Sequence, residues 1–239
     1  KDLGLKWFFC AGEPGGGNPE VRKMLAQGFG AKVFDHTGGG HAFHGISCDE
    51  PPEQFSGMHF ISEDHCLLEL LDPNTKKPIE IEDNASGEMV FTFLDWEGGP
   101  LMRYSLGDIL RVSVNPCQCG MPGMRFKIIG RADDMLIIKG VNVYPEAVKT
   151  AILKFRPKVT GFFQILLNKP GPLVEPPLNI MLEYDKSVSK AELPLLEEKM
   201  LSLFKEEVRI APQLEWVSAE TLPREMKKTN FIKIKEINA

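Results

Sequence analysis

A charged turn, Gly130-Arg131-Ala132-Asp133-Asp134, separates two stretches whose hydrophobic patterns do not fit one repeating architecture. Before it, short apolar runs alternate with turn residues, the texture of a sheet. After it, apolar residues recur at helical spacing, then at strand spacing, then at helical spacing again. The expectation is two domains, 1–132 and 133–239: an α/β layer running into a β-rich part, then a small α+β unit of ordinary domain size. No internal repeat or low-complexity tract interrupts this division. The chain has 239 residues, 43% hydrophobic and 26% charged, so it has apolar surface enough to offset the entropy of ordering it.

Leu5-Lys6-Trp7-Phe8-Phe9-Cys10 reads as a buried opening strand, with Cys10 in the core. A glycine-rich turn follows. Asn18 then caps a helix with Pro19 at its first position and Gly28 past its end. Lys32-Val33-Phe34 completes a β-α-β start. Residues 35–58, rich in Gly, His and Pro, read as a long loop, and loops of that length are held or functional. Leu67–Leu71, Met89–Phe93, Arg103-Tyr104, Ile109–Val114, Phe126–Gly130 and Met135–Lys139 are strand candidates. In the second stretch Pro145 opens a helix with Ala147, Val148, Ala151, Ile152 and Phe155 on one face. Strands follow near 160–167 and 178–184 around a Pro-rich loop, 170–177. A helix from Ser189 to Glu207 turns Leu193, Leu196, Met200 and Phe204 inward. Trp216 sits in a last strand before a Lys-rich tail.

Composition excludes some functions. With 28 basic and 33 acidic side chains the net charge is −5, which disfavours a nucleic-acid partner. No apolar run approaches the ~20 residues of a membrane span. The chain opens at Lys1 with no targeting leader, so the expected location is the cytoplasm and the expected start is internal or processed. Five cysteines are too few for a disulfide scaffold of this size. Cys117-Gln118-Cys119-Gly120, with Cys48 and Cys66 near His59 and His65, reads as a metal site before a redox pair.

Three segments carry chemistry. In Arg103-Tyr104-Ser105-Leu106-Gly107-Asp108, a carboxylate just past a glycine at a strand end suits the hydroxyls of a ribose, although an Asp capping its strand is the plainer role. Gly130–Asp134 joins the two domains, where a rotation needs positions that absorb backbone change. Lys227-Lys228 lies where a cation on a late loop reaches developing negative charge, and a solvated charge run is the plainer role.

Taken together, these segments resemble the C-terminal half of the adenylate-forming (AMP-binding) enzymes, closest to the phenylacetate–coenzyme A ligase branch. The resemblance is carried by Ala11-Gly12-Glu13-Pro14, Gly57-Met58-His59, Glu63-Asp64-His65 and Gly87–Thr92. It continues through Arg103-Tyr104 with Gly107-Asp108, Pro116–Gly120 and, most strongly, Ile129–Pro145. It implies the fold of the C-terminal part of the large adenylate-forming domain followed by a small mobile domain. It implies an AMP-forming acid–coenzyme A ligase: ATP activates a carboxylic acid as an acyl-adenylate, and coenzyme A displaces AMP. By this resemblance Glu13, Pro14 and Phe34 line the adenine pocket, and Thr37 belongs to the nucleotide site. Asp108 holds the ribose and Arg131 contacts the ribose or phosphate. Asp133 is the hinge, the Gly140 loop faces the thiol channel, and Lys228 is the adenylation lysine. ATP, Mg2+ and coenzyme A are the implied cofactors. The branch also suggests structural zinc on Cys48, His59, Cys117 and Cys119, with Cys66 and His65 as competing ligands.

The pattern departs from the family in three places. The phosphate-gripping loop and most of the acid pocket lie upstream, so this piece alone is expected to be inactive. The family's magnesium-linked glutamate falls on Gly38, or on His41 in a rival register, and Asp35 is the substitute at hand. Lys227 stands where a glycine usually precedes the lysine, which makes it the rival of Lys228. The competing functions are adenylation with an amine or carrier-thiol acceptor, and a non-catalytic nucleotide-binding or assembly subunit. A partner chain carrying the N-terminal half and a homodimer are both compatible with the sequence.

Overall fold

A computed structural model of the chain describes residues 3–12, 16–39, 42–51, 54, 56–98, 101–224 and 231–235, without the side chains of 39, 42 and 43. It forms two compact units, Lys1–Asp133 and Asp134–Ala239.

The first unit begins with a β-α-β turn: β1 (Trp7–Ala11), α1 (Pro19–Phe29) and β2 (Lys32–Gly39), with β1 and β2 parallel. Asn18 Oδ1 accepts from the backbone of Glu20 and Val21, and Pro19 needs no donor at that position. The helix runs through Gly28 and stops at Gly30, which takes the left-handed conformation (φ 62°). β1 was expected to be buried. Instead it is the sheet edge, with β2 its one strand partner among the described residues; Trp7 and Phe9 are exposed, Cys10 is half-buried, and Phe8 stacks on Phe29 of α1.

The stretch 35–58 is strand over 35–39 and 42–47, and the described residues from 48 to 57 form no strand. β2 extends to Gly39 and pairs antiparallel with β3 (Ala42–Ser47), which pairs with β4 (Met58–Phe60). The glycine that made it look like a loop is required by packing: a Cβ on Gly45 would lie 2.6 Å from the Phe126 ring. The sheet continues through β5 (Cys66–Leu71), β6 (Pro78–Ile79), β7 (Ser86–Phe93), β8 (Tyr104–Ser113) and β9 (Arg125–Arg131). Among the described residues it has nine strands in the order β1-β2-β3-β4-β9-β8-β7-β5-β6. Met89, Phe91 and Phe93 alternate onto one face of β7 and pack with Met58, Leu70, Leu110 and Phe126 as the core.

The second unit has two small sheets. β10 (Leu136–Ile138) pairs with β11 (Val141–Val143) and, in parallel, with β13 (Leu173–Val174), which lies inside the expected Pro-rich loop. β12 (Val159–Leu167), β14 (Asn179–Tyr184), β15 (Gln213–Ser218) and β16 (Ile232–Ile234) form the other, in the order β15-β14-β12-β16. α2 (Pro145–Leu153) and α3 (Leu193–Leu203) cover it, burying Val148, Ile152, Leu196 and Met200. The long helix expected over 189–207 is divided. Ser189 and Glu192 form a capping box around a 3-10 turn, α3 follows, and a π turn over Phe204–Val208 ends at left-handed Arg209.

Candidate functional site

Asp108 is placed by an irregularity in β8. Glu88 pairs with Ile109 and Val90 with Ser105, so Leu106, Gly107 and Asp108 stand opposite Met89 alone. Such a bulge bends the strand and re-aims its side chains. Gly107 takes φ 80°, and Ala132 N–H donates to its carbonyl at 2.7 Å. Across the ladder Asp108 pairs with Arg131 of β9. Arg131 Nη1 donates to Asp108 Oδ1 at 3.2 Å, while Nε and Nη2 hold Asp133 at 2.9 and 3.1 Å. The resulting chain of Asp108, Arg131 and Asp133 is graded in exposure: 17%, 37% and 64% for the three side chains. The carboxylate nearest the bulge is the most enclosed, and Asp133 closes the first unit.

Behind the bulge lies Glu88, which the sequence reading missed. It is buried, accepts from Ser105 Oγ at 2.6 Å and pairs with Lys76. Burial pushes its carboxyl up, but the Lys76 and Ser105 hydrogen bonds win and hold it below the usual range. Ser105 Oγ also accepts from Gly107 N–H at 3.0 Å, so Glu88 reaches the bulge through one hydroxyl. A glutamate opening the apolar run Glu88-Met89-Val90-Phe91 was the available signal.

Cys48, His59, Cys117 and Cys119 come together, with ligand atoms all within 4.8 Å of one another. Cys48 Sγ is 3.7 Å from Cys117 Sγ, and Cys119 Sγ is 3.4 Å from His59 Nε2. A tetrahedral zinc with sulfur at about 2.3 Å and nitrogen at about 2.0 Å places neighbouring ligand atoms about 3.5–3.8 Å apart, so the set fits that ion. Burial and the neighbouring Arg125 hold His59 below the ordinary imidazole range, which keeps the ring neutral. Burial and Cys117 push the Cys48 thiol up, a cost that a bound cation reverses. Cys117 Sγ lies 3.4 Å from Glu50 Oε1, and buried Arg125 donates to Ser56 and to Asn115 O. The competing ligands lie elsewhere. His65 pairs with Asp95 at 2.7 Å, and Cys66 lies 4.0 Å from His44, whose ring stacks on Phe91.

Phe34 is half-buried and stacks on Phe9 at 5.3 Å, and Thr37 pairs with Gly45 in the β2–β3 ladder. Gly38 supplies no carboxylate. Asp35 is enclosed: a Cβ on Gly16 would lie 2.5 Å from its oxygen. Burial pushes the Asp35 carboxyl up to about 7 against the pull of Arg22. Neither position offers magnesium an open carboxylate. Lys139 and Gly140 are both left-handed (φ 50° and 80°) and join β10 to β11 as a two-residue hairpin turn. Glu13, Pro14, His41, Lys227 and Lys228 lie outside the described residues.

Residues 140–233 match the AMP-binding enzyme C-terminal domain. The phenylacetate-coenzyme A ligase of Thermus thermophilus is 36% identical over 181 residues, covering 75% of this chain and 39% of the relative. Over that span the chain is similar to phenylacetate–coenzyme A ligases, and over residues 140–233 to the C-terminal domain of AMP-binding enzymes. The phenylacetate-coenzyme A ligase of Pseudomonas putida is 29% identical across 93% of the chain and 49% of its own length. The chain thus spans less than half the length of these curated relatives. A crystal structure of 2-hydroxyisobutyryl-CoA ligase, in the postadenylation state with 2-HIB-AMP, superposes with a TM-score of 0.81. It is 24% identical and covers 98% of this chain and 49% of that one. The fold is therefore that of the C-terminal region of adenylate-forming ligases. Among the described residues no helix is long and apolar enough to cross a membrane.

Proposed function

We propose that the polypeptide carrying this chain is an AMP-forming acid–coenzyme A ligase. ATP and a carboxylic acid give an acyl-adenylate and pyrophosphate, and the coenzyme A thiol then displaces AMP. The observation that carries this reading is the Asp108–Arg131 pair across β8 and β9. Held beside Arg131, the Asp108 carboxylate is an acceptor of the kind that suits the two hydroxyls of a ribose. The same guanidinium reaches the nucleotide's ribose or phosphate. Phe34, with Glu13 and Pro14, lines the adenine pocket, and Thr37 serves the same site.

Asp133 is the hinge in this reading. A rotation of its backbone breaks its two bonds to Arg131, so the nucleotide contact and the domain position are linked. The Gly140 turn faces the thiol channel of the second step. Lys228, with Lys227 as its rival, neutralises charge on the transferring phosphoryl group. Mg2+ accompanies the phosphates of ATP, and no step is assigned to a magnesium ligand on this chain. Cys48, His59, Cys117 and Cys119 hold a structural zinc, which ties the β8–β9 connection to β3 and β4. Thiol ligands of this kind favour the reducing cytoplasm. The remainder of the enzyme is carried by the same polypeptide or by a partner chain, and a homodimer is compatible with either.

ATP–pyrophosphate exchange by the intact polypeptide, with a panel of aromatic and aliphatic acids, tests the reading. Exchange without coenzyme A is expected. Nucleotide binding with no exchange for any acid supports the non-catalytic reading, which the missing carboxylate at Gly38 favours. Exchange with an amine or carrier thiol as the final acceptor would replace coenzyme A while keeping the adenylate.

A further inference from the structure

Glu88 places a carboxylate in the middle of a sheet, and that carboxylate is buried. A buried charge persists only when it is paired and hydrogen-bonded. Glu88 is both, and its two partners come from different parts of the chain. Oε2 accepts from Lys76 Nζ, and Oε1 accepts from Ser105 Oγ at 2.6 Å. Lys76 is presented by the turn between β5 and β6. There Asp72 Oδ1 accepts from Asn74 N–H at 3.0 Å and from Thr75 N–H at 2.7 Å, and Lys76 takes φ 57°. A lysine holds that conformation only where its surroundings impose it.

The consequence is the direction of one hydroxyl. A serine hydroxyl has one proton to donate and two lone pairs to accept with. An ionised carboxylate only accepts, so the Ser105 proton goes to Glu88. The lone pairs of Oγ then face Gly107 N–H, which donates to them at 3.0 Å. The other polar group of Gly107, its carbonyl, accepts from Ala132 N–H at 2.7 Å. Gly107 is therefore held on both sides at φ 80°. Glycine by itself samples both signs of φ about equally, so these hydrogen bonds choose the conformation. The dihedrals of Gly107 set where the chain goes next, and the next residue is Asp108.

We propose that Glu88, acting through Ser105, is a positioning residue for Asp108 and thereby for recognition of the ribose hydroxyls. This rests on the reading above, in which Asp108 holds the ribose. Glu88 is enclosed and engaged with Lys76 and Ser105, so it acts on the nucleotide through the bulge alone. Hydrogen bonds weaken steeply as their geometry departs from the optimum. A displaced Asp108 thus loses its grip on the hydroxyls, while contacts to the base and the phosphate stay as they were.

The test uses the full-length polypeptide and two ligands, AMP and 2′,3′-dideoxy-AMP, which lacks both hydroxyls. Dissociation constants are measured by calorimetry for Glu88→Gln, Ser105→Ala and Ser105→Thr. Glu88→Gln and Ser105→Ala are each expected to weaken AMP binding about five- to thirtyfold, with dideoxy-AMP binding within about twofold. Ser105→Thr keeps the hydroxyl and should restore the preference for AMP. The double variant of Glu88→Gln and Ser105→Ala should cost little more than either change alone, because the two act in series. Equal weakening of both nucleotides, an unchanged preference for AMP, or additive losses in the double variant overturns the positioning role. Ser105 is exposed, so Ser105→Ala keeps the test open if Glu88→Gln fails to fold. Asp108→Ala separates this outcome from a failure of the underlying reading. If Asp108→Ala leaves the preference for AMP over dideoxy-AMP intact, Asp108 does not hold the ribose and that reading falls.

Discussion

Asp108 depends on Gly107, whose backbone turns the strand before it, and on Arg131, which pairs with it. Hydrogen bonds to a charged group are worth about 1.5–3 kcal/mol, so Asp108→Ala should weaken AMP binding to the intact polypeptide about ten- to a hundredfold by calorimetry. Gly107 holds φ 80°, and a Cβ there would meet Arg131 Nη2 at 3.1 Å. Gly107→Ala should therefore cost the first unit about 1–2 kcal/mol, read as a lowered Tm. Asp108 and Arg131 were legible because a carboxylate past a glycine and a cation in an interdomain turn are conspicuous in sequence. Glu88 and Glu183 were not, because each sits in an apolar strand and its partners are remote. Lys76 and Arg224 are distant in sequence from the carboxylates they neutralise.

At the scale of elements, the Cys/His cluster joins segments that are consecutive in the sheet but far apart along the chain. Cys48 follows β3, His59 lies in β4, and Cys117 and Cys119 lie between β8 and β9. Elemental analysis should find one zinc per chain, and Cys119→Ser should lower that content. Removing the metal with a chelator should lower the Tm of the first unit, since metal binding couples to folding. The strands at 35–39 and 42–47 were misread as loop because glycine and histidine dilute the alternation of a strand. Gly45 is small because the Phe126 ring occupies the space a side chain would take, and local propensity cannot report such a tertiary contact. The helix before β2 was legible except for its stop, since Gly28 and Gly30 are equivalent signals until one of them adopts positive φ.

At the scale of the molecule, each unit has its own buried core. Residues 134–239 expressed alone should unfold in one cooperative transition by denaturant and by heat. Acid should destabilise this fragment with a definite sign. Burial raises the Glu183 carboxyl, but the Arg224, Leu222 and Thr160 bonds outweigh it, so its pKa lies below the ordinary 4.5. The unfolded chain then binds more protons in that window. The stabilisation is complete above about 4.5 and lost as pH falls through the folded value. Glu183→Gln should flatten that part of the stability–pH curve measured by denaturant titration. The amino-acid order by itself marked a charged turn between two hydrophobic patterns and the four Cys and His residues that cluster. Those signals are local in composition and spacing. Only the folded chain decided which strand is an edge, which four ligand atoms meet, and which buried acids stay charged. Each of these depends on what lies across a sheet or beneath a ring, and distance along a sequence does not contain that information.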